Sequence, residues 1–447
     1  MPRTSVSVAA TAAAVLSAVW AAQPIHGNAD TSREASDPAL ATLAQPARAA
    51  DGPVPASIAR ARTSGPREVM FVGNNWDGTA DVVDAHTFKK LKRLNTIPDK
   101  AARMKEIESS PDKLAFFLAI RQEIGEGHDQ YTDDMFSTHD GRLVAVSRPS
   151  FADVVGIDIA TNKIRWRFPM DGYRADHMAI SPSGKRLLVS DSTANKVHEL
   201  DIFTGKQTRE FPSGDSPHES NYSKDGSLIY HASIGRVYTP VDRSEAGPVR
   251  EAVKGDQRFQ IVSNKTFKII HKWDIGKKLE EAGYPGMSSA VRPMAIASDQ
   301  RYAYLQVSFF HGFVEFDMKK GKVRRVATLP DRTNGMPREQ YLLDSAHHGL
   351  AMNRAGTKLC AAGTMDNYAA IVQRRSFRYK ILNVGEKPYW ATDGPDGNRC
   401  WVSVSGDDKV VVIGYRHANR VATIKVGDHP QRVRPGYVAR DTVRSWR

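Results

Sequence analysis

Cysteine is nearly absent from this sequence, since Cys360 and Cys400 are the only two in 447 residues. A chain of this length with two cysteines is not held together by a disulfide framework. Several chemical signatures are missing too: Gly-rich phosphate loops, a Gly-x-Ser-x-Gly elbow, heme-attachment Cys-x-x-Cys-His, His-Glu-x-x-His, Cys-x-x-Cys and an EF-hand loop. The sequence therefore predicts no nucleotide or heme cofactor, and it leaves the cofactor unknown apart from a candidate metal ion in a channel.

Long apolar runs are also scarce. The one such run, Val6 to Ala22, follows Arg3 and carries no charge. Its shortness, Ala content and small final residues are typical of a secretory signal peptide, which we assign to residues 1–29, with an uncleaved N-terminal anchor as the alternative. Residues 30–66 are rich in Ala, Pro, Ser, Thr and Gly and predict a flexible leader. We expect a secreted or extracytoplasmic protein with no transmembrane span in its mature chain.

The net charge is +13. Such a charge can attract nucleic acid, anionic lipid or an acidic cell-wall polymer. However, the Lys and Arg residues are spread through the sequence, with no basic helix and no long basic run. This distribution favours a diffuse charge that promotes solubility, and we expect no specific nucleic-acid binding.

Two units repeat along the chain. The first is an apolar strand, a tight turn, a Lys or Arg, and a second strand, and its seven copies begin at Asp81, Val154, Val197, Gln260, Phe313, Ala369 and Val410. Apolar and polar residues alternate on both sides of the turn, which indicates a β-hairpin. The second unit is a short strand, a Pro/Ser/Asp-Gly turn and an apolar strand, and it precedes six of the hairpins. Its clearest copy is HMAISPSGKRLLVSDS, from His177.

Together the two units form four antiparallel strands, which is the blade of a β-propeller. The first hairpin has no preceding unit, but His429 to Val433 begins like a further first strand at the other end of the chain. We therefore predict an all-β fold, a seven-bladed propeller over residues 67–447 that the C-terminal strand closes. Closure removes the exposed sheet edges that an open solenoid or a sandwich would leave.

Three segments interrupt the period. Residues 99–126 are rich in helix formers with apolar positions three and four residues apart, and they predict one or two helices in the first connection between blades. Residues 242–257 are a polar, charged insertion, and residues 331–344 form another excursion from the repeat.

The innermost strand of each blade lines the channel of a propeller, so we aligned these strands on the glycine of the following turn. Polar residues then fall at equivalent positions or just beside them: Asp133, Asp134, Asp176, His177, His218, Glu219, Arg292, His347, His348, Tyr389, Gln431 and Arg432. We call this set the axial ring. It could bind a polar ligand or a metal ion, with His177, His218 and His348 as the candidate metal ligands, or perform acid–base chemistry with an anionic group held by Arg292. The alternative is that these residues merely line a hydrated channel. The catalytic residues stay unassigned.

The two cysteines lie in equivalent strands of the last two blades, displaced by one residue. Alternation along a strand then points their side chains to opposite faces. Because a disulfide needs converging side chains, we predict two free thiols.

The blade pattern resembles the YVTN-type propellers of bacterial surface-layer and lactonase-like proteins. The matching segments are SPSGKRLLVS, from Ser181 to Ser190, and VGDHP, from Val426 to Pro430. The resemblance implies the propeller fold but no single reaction, because the wider group includes lactonase-like, dehydrogenase-like and nitrite-reductase-like propellers as well as binding proteins.

Two functions follow. The first is a monomeric binding or interaction protein at or outside the cell surface, whose partner is an unknown protein, polysaccharide or small-molecule ligand. The alternative is a channel-centred enzyme, a lactonase-like hydrolase or a metal-dependent oxidoreductase, that uses the His, Asp and Glu of the axial ring. The absence of a complete catalytic motif favours the first.

Overall fold

Our computed structural model describes residues 65–237 and 253–446. These residues form seven four-stranded antiparallel sheets with their connections. The predicted signal peptide, nearly all of the leader and most of the excursion at 242–257 lie outside the described residues. Each sheet is one blade, and its inner strand comes first in the lists below. This confirms the predicted seven-bladed propeller.

The strands are numbered in chain order. Blade 1 contains β28 (Pro430–Val438), β1 (Arg67–Asn74), β2 (Thr79–Asp84) and β3 (Lys90–Asn95). Blade 2 contains β4 (Met135–Ser137), β5 (Leu143–Arg148), β6 (Asp153–Asp158) and β7 (Ile164–Pro169). Blade 3 contains β8 (Ala175–Ile180), β9 (Arg186–Asp191), β10 (Lys196–Asp201) and β11 (Gln207–Pro212). Blade 4 contains β12 (Pro217–Tyr222), β13 (Leu228–Ser233), β14 (Arg258–Ser263) and β15 (Ile269–Trp273).

The last three blades follow the same order. Blade 5 contains β16 (Val291–Ile296), β17 (Tyr302–Val307), β18 (Gly312–Asp317) and β19 (Lys322–Thr328). Blade 6 contains β20 (Leu350–Met352), β21 (Lys358–Gly363), β22 (Tyr368–Gln373) and β23 (Tyr379–Asn383). Blade 7 contains β24 (Pro388–Asp393), β25 (Arg399–Val404), β26 (Lys409–Gly414) and β27 (Asn419–Lys425).

The C-terminal strand closes the propeller. β28 is the inner strand of blade 1 and pairs antiparallel with β1, from Arg67 opposite Val438 to Val72 opposite Val433. The first and last strands of the fold therefore share one sheet, and the split repeat in the sequence is the physical trace of that closure.

The blades have two unlike ends. Because the four strands alternate in direction, the connections between blades and the loops between second and third strands lie on one face, which we call the connection face. The turns between first and second strands and between third and fourth strands lie on the opposite face, the turn face. The long connections at 96–134, 274–290 and 329–349 all belong to the connection face.

Four α-helices occur in the described residues: α1 (Lys100–Glu108), α2 (Pro111–Glu123), α3 (Ile275–Glu281) and α4 (Arg440–Ser445). The first two lie within the predicted helical segment 99–126. Buried Arg148 fixes this segment to blade 2, since its guanidinium pairs with Asp99 at 2.5 Å and with Asp153 at 2.7 Å. No described helix is long and apolar enough to cross a membrane.

The prediction of two free thiols is wrong, because Cys360 and Cys400 form a disulfide with Cα atoms 6.4 Å apart. Neighbouring blades stack face to face, so the side of blade 6 that carries Cys360 meets the opposite side of blade 7. The two cysteines share one core cluster, while Leu359 and Ala361 belong to a cluster with blade 5. Cysteines one position apart in the aligned strands point to opposite sides of their own blades. Those are the two sides that meet between blades 6 and 7, so the side chains come together.

Candidate metal centre on the propeller axis

Three imidazoles from three blades meet on the axis: His177 of β8, His218 of β12 and His348 just before β20. The Nε2 atoms of His177 and His218 are 3.0 Å apart, and those of His348 and His218 are 3.4 Å apart. A ligand atom from each of the three lies within 4.8 Å of the others. With Zn–N bonds of about 2.0–2.1 Å, two nitrogens on a tetrahedral ion are separated by roughly 3.3 Å. We call these residues the axial triad, and their spacing suits one shared ion.

Irregular strand pairing places the first two imidazoles. The pairing of β8 with β9 shifts register between Ala175 and Met178, and that of β12 with β13 shifts between Pro217 and Ser220. A β-bulge leaves a residue unpaired and redirects its side chain. His177 and His218 both lie inside these shifts, at neighbouring positions of the aligned pair of residues.

Burial favours the neutral form of all three imidazoles. Burial lowers the pKa of His177, His218 and His348 well below the ordinary value of about 6.5. The charge of Arg432 lowers the pKa of His177 and His348 further. Neutral imidazole is the form that binds a metal ion, so the triad holds its ligand form at neutral pH.

Arg432 is the cation closest to the triad. Its Nε lies 3.0 Å from His177 Nδ1 and its Nη2 lies 2.6 Å from His177 Nε2. A neutral imidazole has only one acceptor nitrogen, so it accepts a hydrogen bond from one of these donors at most. Arg432 Nη2 also lies 3.3 Å from Asp133 Oδ1, which offers the guanidinium an anionic partner beside the triad.

Carboxylates complete the polar chamber around His177. Asp133, Asp176 and His177 form a second group whose ligand atoms lie within 4.8 Å of one another. Burial raises the pKa of Asp133 to about 6, against the opposing effect of Arg432. Within the described residues, the buried atoms Asp133 Oδ2, Asp176 Oδ1 and Arg432 Nη1 have no hydrogen-bond partner. Buried polar atoms are seldom left unpaired, so these atoms mark a place for a ligand or water.

Asp134 and Glu219, the other acidic residues of the axial ring, also accept hydrogen bonds from the protein. Asp134 accepts two hydrogen bonds from Arg434, both 2.7 Å long, and a third from the Met178 amide. Glu219 accepts hydrogen bonds from the Met294 amide at 2.7 Å and from Asn221 at 2.9 Å. Burial raises the pKa of Glu219 to about 7. Asp134 therefore holds neighbouring strands together, whereas Glu219 can exchange a proton near neutral pH.

Arg292 is a buried cation with neutral partners. Its Nε donates to Ser308 Oγ at 3.0 Å and its Nη2 donates to the Leu343 carbonyl. Burial lowers its pKa, and its charge in turn lowers the pKa of His218 and His348. The carboxylates of Asp344 and Asp176 act on the guanidinium through their charge, while its hydrogen-bond partners in the described residues are neutral.

The remaining members of the axial ring differ in their surroundings. The ring of Tyr389 lies 4.4 Å from that of His348, and burial raises the pKa of its hydroxyl. Gln431 is buried, and its backbone carbonyl accepts a hydrogen bond from Ser403. His347 lies outside the triad, because its Nε2 contacts Asp366 Oδ2 at 2.8 Å.

Asp366 Oδ2 also lies 2.7 Å from His311 Nδ1. His311, His347 and Asp366 therefore form a second His/Asp cluster. The alignment of inner strands missed His311 and Asp366, because both lie on loops between second and third strands. It also missed Arg434 and Arg174, which pairs with Asp176 at 2.5 Å, although alternation along a strand carries a signal for both. Each lies two residues from an axial residue and hence on the same face.

Comparisons with known proteins add little to this geometry. No family model and no curated protein matches the chain. Among solved structures it is similar to Kuenenia stuttgartiensis hydrazine synthase, with 14% identity and a TM-score of 0.49 over 67% of this chain and 88% of that one. A similarity of this size carries no argument about activity. The fold and the site define the class of this protein as a seven-bladed β-propeller with a buried histidine cluster on its axis.

Proposed function

We propose that this protein is an exported propeller metalloenzyme whose axial triad binds one transition-metal ion. The observation that carries the proposal is the convergence of three buried, neutral imidazole Nε2 atoms from three blades. Without an ion, two neighbouring imidazole nitrogens can pair only when one donates a hydrogen bond to the other. A metal ion instead accepts a lone pair from each of the three nitrogens. Imidazole ligands suit zinc, copper, iron and nickel.

The triad supports a catalytic centre better than a structural one. Structural zinc sites use four protein ligands, whereas catalytic sites use three and leave a position for water or substrate. An ion bound here would supply Lewis-acid chemistry if it is zinc and redox chemistry if it is copper or iron. We therefore favour the channel-centred enzyme over a pure interaction protein. Assignment to the YVTN-type group is part of the proposal, and the motif from Ser181 to Ser190 supports it.

The surrounding residues have separate roles in this proposal. Arg292 binds an anionic part of the substrate, because its charge lies beside the triad and its hydrogen-bond partners are neutral. Asp133 and Glu219 act as proton donors or acceptors, since burial raises their pKa to about 6 and about 7. General acids and bases are most effective when their pKa lies near the working pH.

The test is the metal content of protein purified from its native host. We expect about one ion per chain in the wild type, consistent with a single three-histidine site. The double variant His177→Ala/His348→Ala should lose the ion, and circular dichroism should show that it remains folded. The matched control is His311→Ala, which alters the second His/Asp cluster and should retain the ion.

The same experiment names the metal: copper or iron would favour the oxidoreductase, and zinc would favour Lewis-acid chemistry such as hydrolysis. A metal-free wild type, or a double variant that keeps the ion, would show that the triad is a polar lining of the channel and not a metal site.

A further inference from the structure

The positive charge of the chain is concentrated on the turn face. Its thirteen strand-to-strand turns carry 20 Lys and Arg and 9 Asp and Glu, a net charge of +11 out of +13 for the whole sequence. The turns are residues 84–89, 138–142, 158–163, 181–186, 201–206, 223–227, 263–268, 297–301, 317–322, 353–358, 373–378, 393–399 and 414–419. Outside them the charges nearly balance, with 43 Lys and Arg against 41 Asp and Glu. Lys and Arg residues that are spread along the sequence thus gather on one face of the fold.

The charge is also uneven around the face. Blades 4, 5 and 6 supply 12 of the cations and only three of the anions. Two of those anions are already paired, Asp317 with Arg301 at 2.8 Å and Asp299 with Arg374 at 3.0 Å. None of the 20 cations is buried. Blades 4, 5 and 6, three of the seven blades, therefore present an accessible cationic sector on this face.

We infer that the turn face docks on an anionic phospholipid surface. The cations occur in turns of all seven blades at one end of the strands, so they form a broad layer and not the single groove that a linear polymer would follow. Each Lys or Arg near an anionic leaflet contributes about 1 kcal/mol of attraction, and the attraction decays within a Debye length.

Exposed aromatic residues also fit a lipid surface. Phe203 lies in a turn of this face and is 49% exposed, and Tyr379, directly after another such turn, is 46% exposed. Aromatic side chains beside cations are typical of membrane interfaces.

Docking in this way would orient the molecule. The axial triad lies where the inner strands begin, at the connection face, and so it would face away from the lipid. The docking proposal does not depend on metal binding.

The test is co-sedimentation with vesicles of phosphatidylcholine alone or with about 30% phosphatidylglycerol, at about 0.1 M salt. We expect binding only to the anionic vesicles and its loss at high salt. Lys265→Glu/Lys319→Glu/Arg375→Glu changes three exposed side chains of the cationic sector and should weaken binding about 100-fold.

The matched control is Lys92→Glu/Lys105→Glu/Lys425→Glu, which changes the net charge equally at exposed residues outside the turns and should bind within about threefold of the wild type. Equal loss in both triple variants would show a non-specific charge effect and overturn the proposal. Equal binding to uncharged vesicles would also overturn it. So would binding to soluble polyphosphate with no binding to anionic vesicles, which would assign the face to an acidic polymer.

Discussion

At the scale of single residues, we predict that Arg432 weakens metal binding by the axial triad. Its guanidinium lies 2.6 Å from His177 Nε2, where a metal ion would take the lone pair. Two unit charges about 4 Å apart repel by about 1–4 kcal/mol between the dielectric of water and that of a protein surface. The guanidinium therefore opposes a bound cation unless it turns fully to Asp133.

We predict that Arg432→Gln raises the affinity for a divalent ion by about tenfold or more. Isothermal titration of metal-free protein with Zn²⁺ measures the affinity. The control is Arg165→Gln, which makes the same charge change at a side chain that is 62% exposed. Unchanged or weaker binding in Arg432→Gln would mean that this arginine supports the site through its contact with His177.

Glu219 predicts a particular dependence of stability on pH. Its pKa is about 7 in the folded state, above the ordinary value near 4.5, because burial disfavours the charged form. The folded state therefore binds the proton more tightly than the unfolded state. The stabilisation is complete below about pH 4.5 and is lost as the pH rises through about 7.

Relative to Glu219→Gln, the wild type should lose about 3 kcal/mol of unfolding free energy between about pH 4 and pH 8. Urea unfolding of both proteins across this range measures the difference. Parallel pH profiles for the two proteins would contradict the burial of an ionisable carboxyl group at this position.

At the scale of elements, the disulfide connects β21 of blade 6 to β25 of blade 7 across a sequence separation of 40 residues. A cross-link that closes a loop of this length stabilises a fold by about 3–4 kcal/mol, chiefly by restricting the unfolded chain. We predict that Cys360→Ala/Cys400→Ala lowers the unfolding free energy by about this amount, measured by urea unfolding. Wild type reduced with dithiothreitol separates the cross-link from the packing of the sulfur atoms. Full stability in both reduced protein and variant would contradict the prediction.

The sequence predicted the strands well, because the same pattern recurs in every blade and each copy supports the others. Seven hairpins with one turn pattern fixed the number of blades, and the fragment at His429 to Val433 fixed the closing strand. The same alignment placed His177 and His218 at adjacent positions, because the pair Asp176 and His177 aligns with the pair His218 and Glu219. It failed for Cys360 and Cys400, because register within a blade does not say which face meets the next blade. It also failed for His311 and Asp366, because both lie in loops and an alignment of inner strands does not include them.

At the scale of the whole molecule, the two faces of the propeller are chemically different. The connection face carries the long connections and the starts of the inner strands, where the axial residues lie. The turn face carries nearly all of the net positive charge. In our proposals this division assigns metal chemistry to one face and attachment to a surface to the other.

The central claim is that the axial triad binds a metal ion, and an anomalous difference map tests it most directly. Crystals of the protein as purified from its native host should be measured above and below the absorption edge of the metal found in it. We predict one strong peak on the propeller axis, about 2.0–2.1 Å from the Nε2 atoms of His177, His218 and His348, with Arg432 turned toward Asp133. A map with no axial peak, or with its peak between His311 and Asp366, would contradict the account.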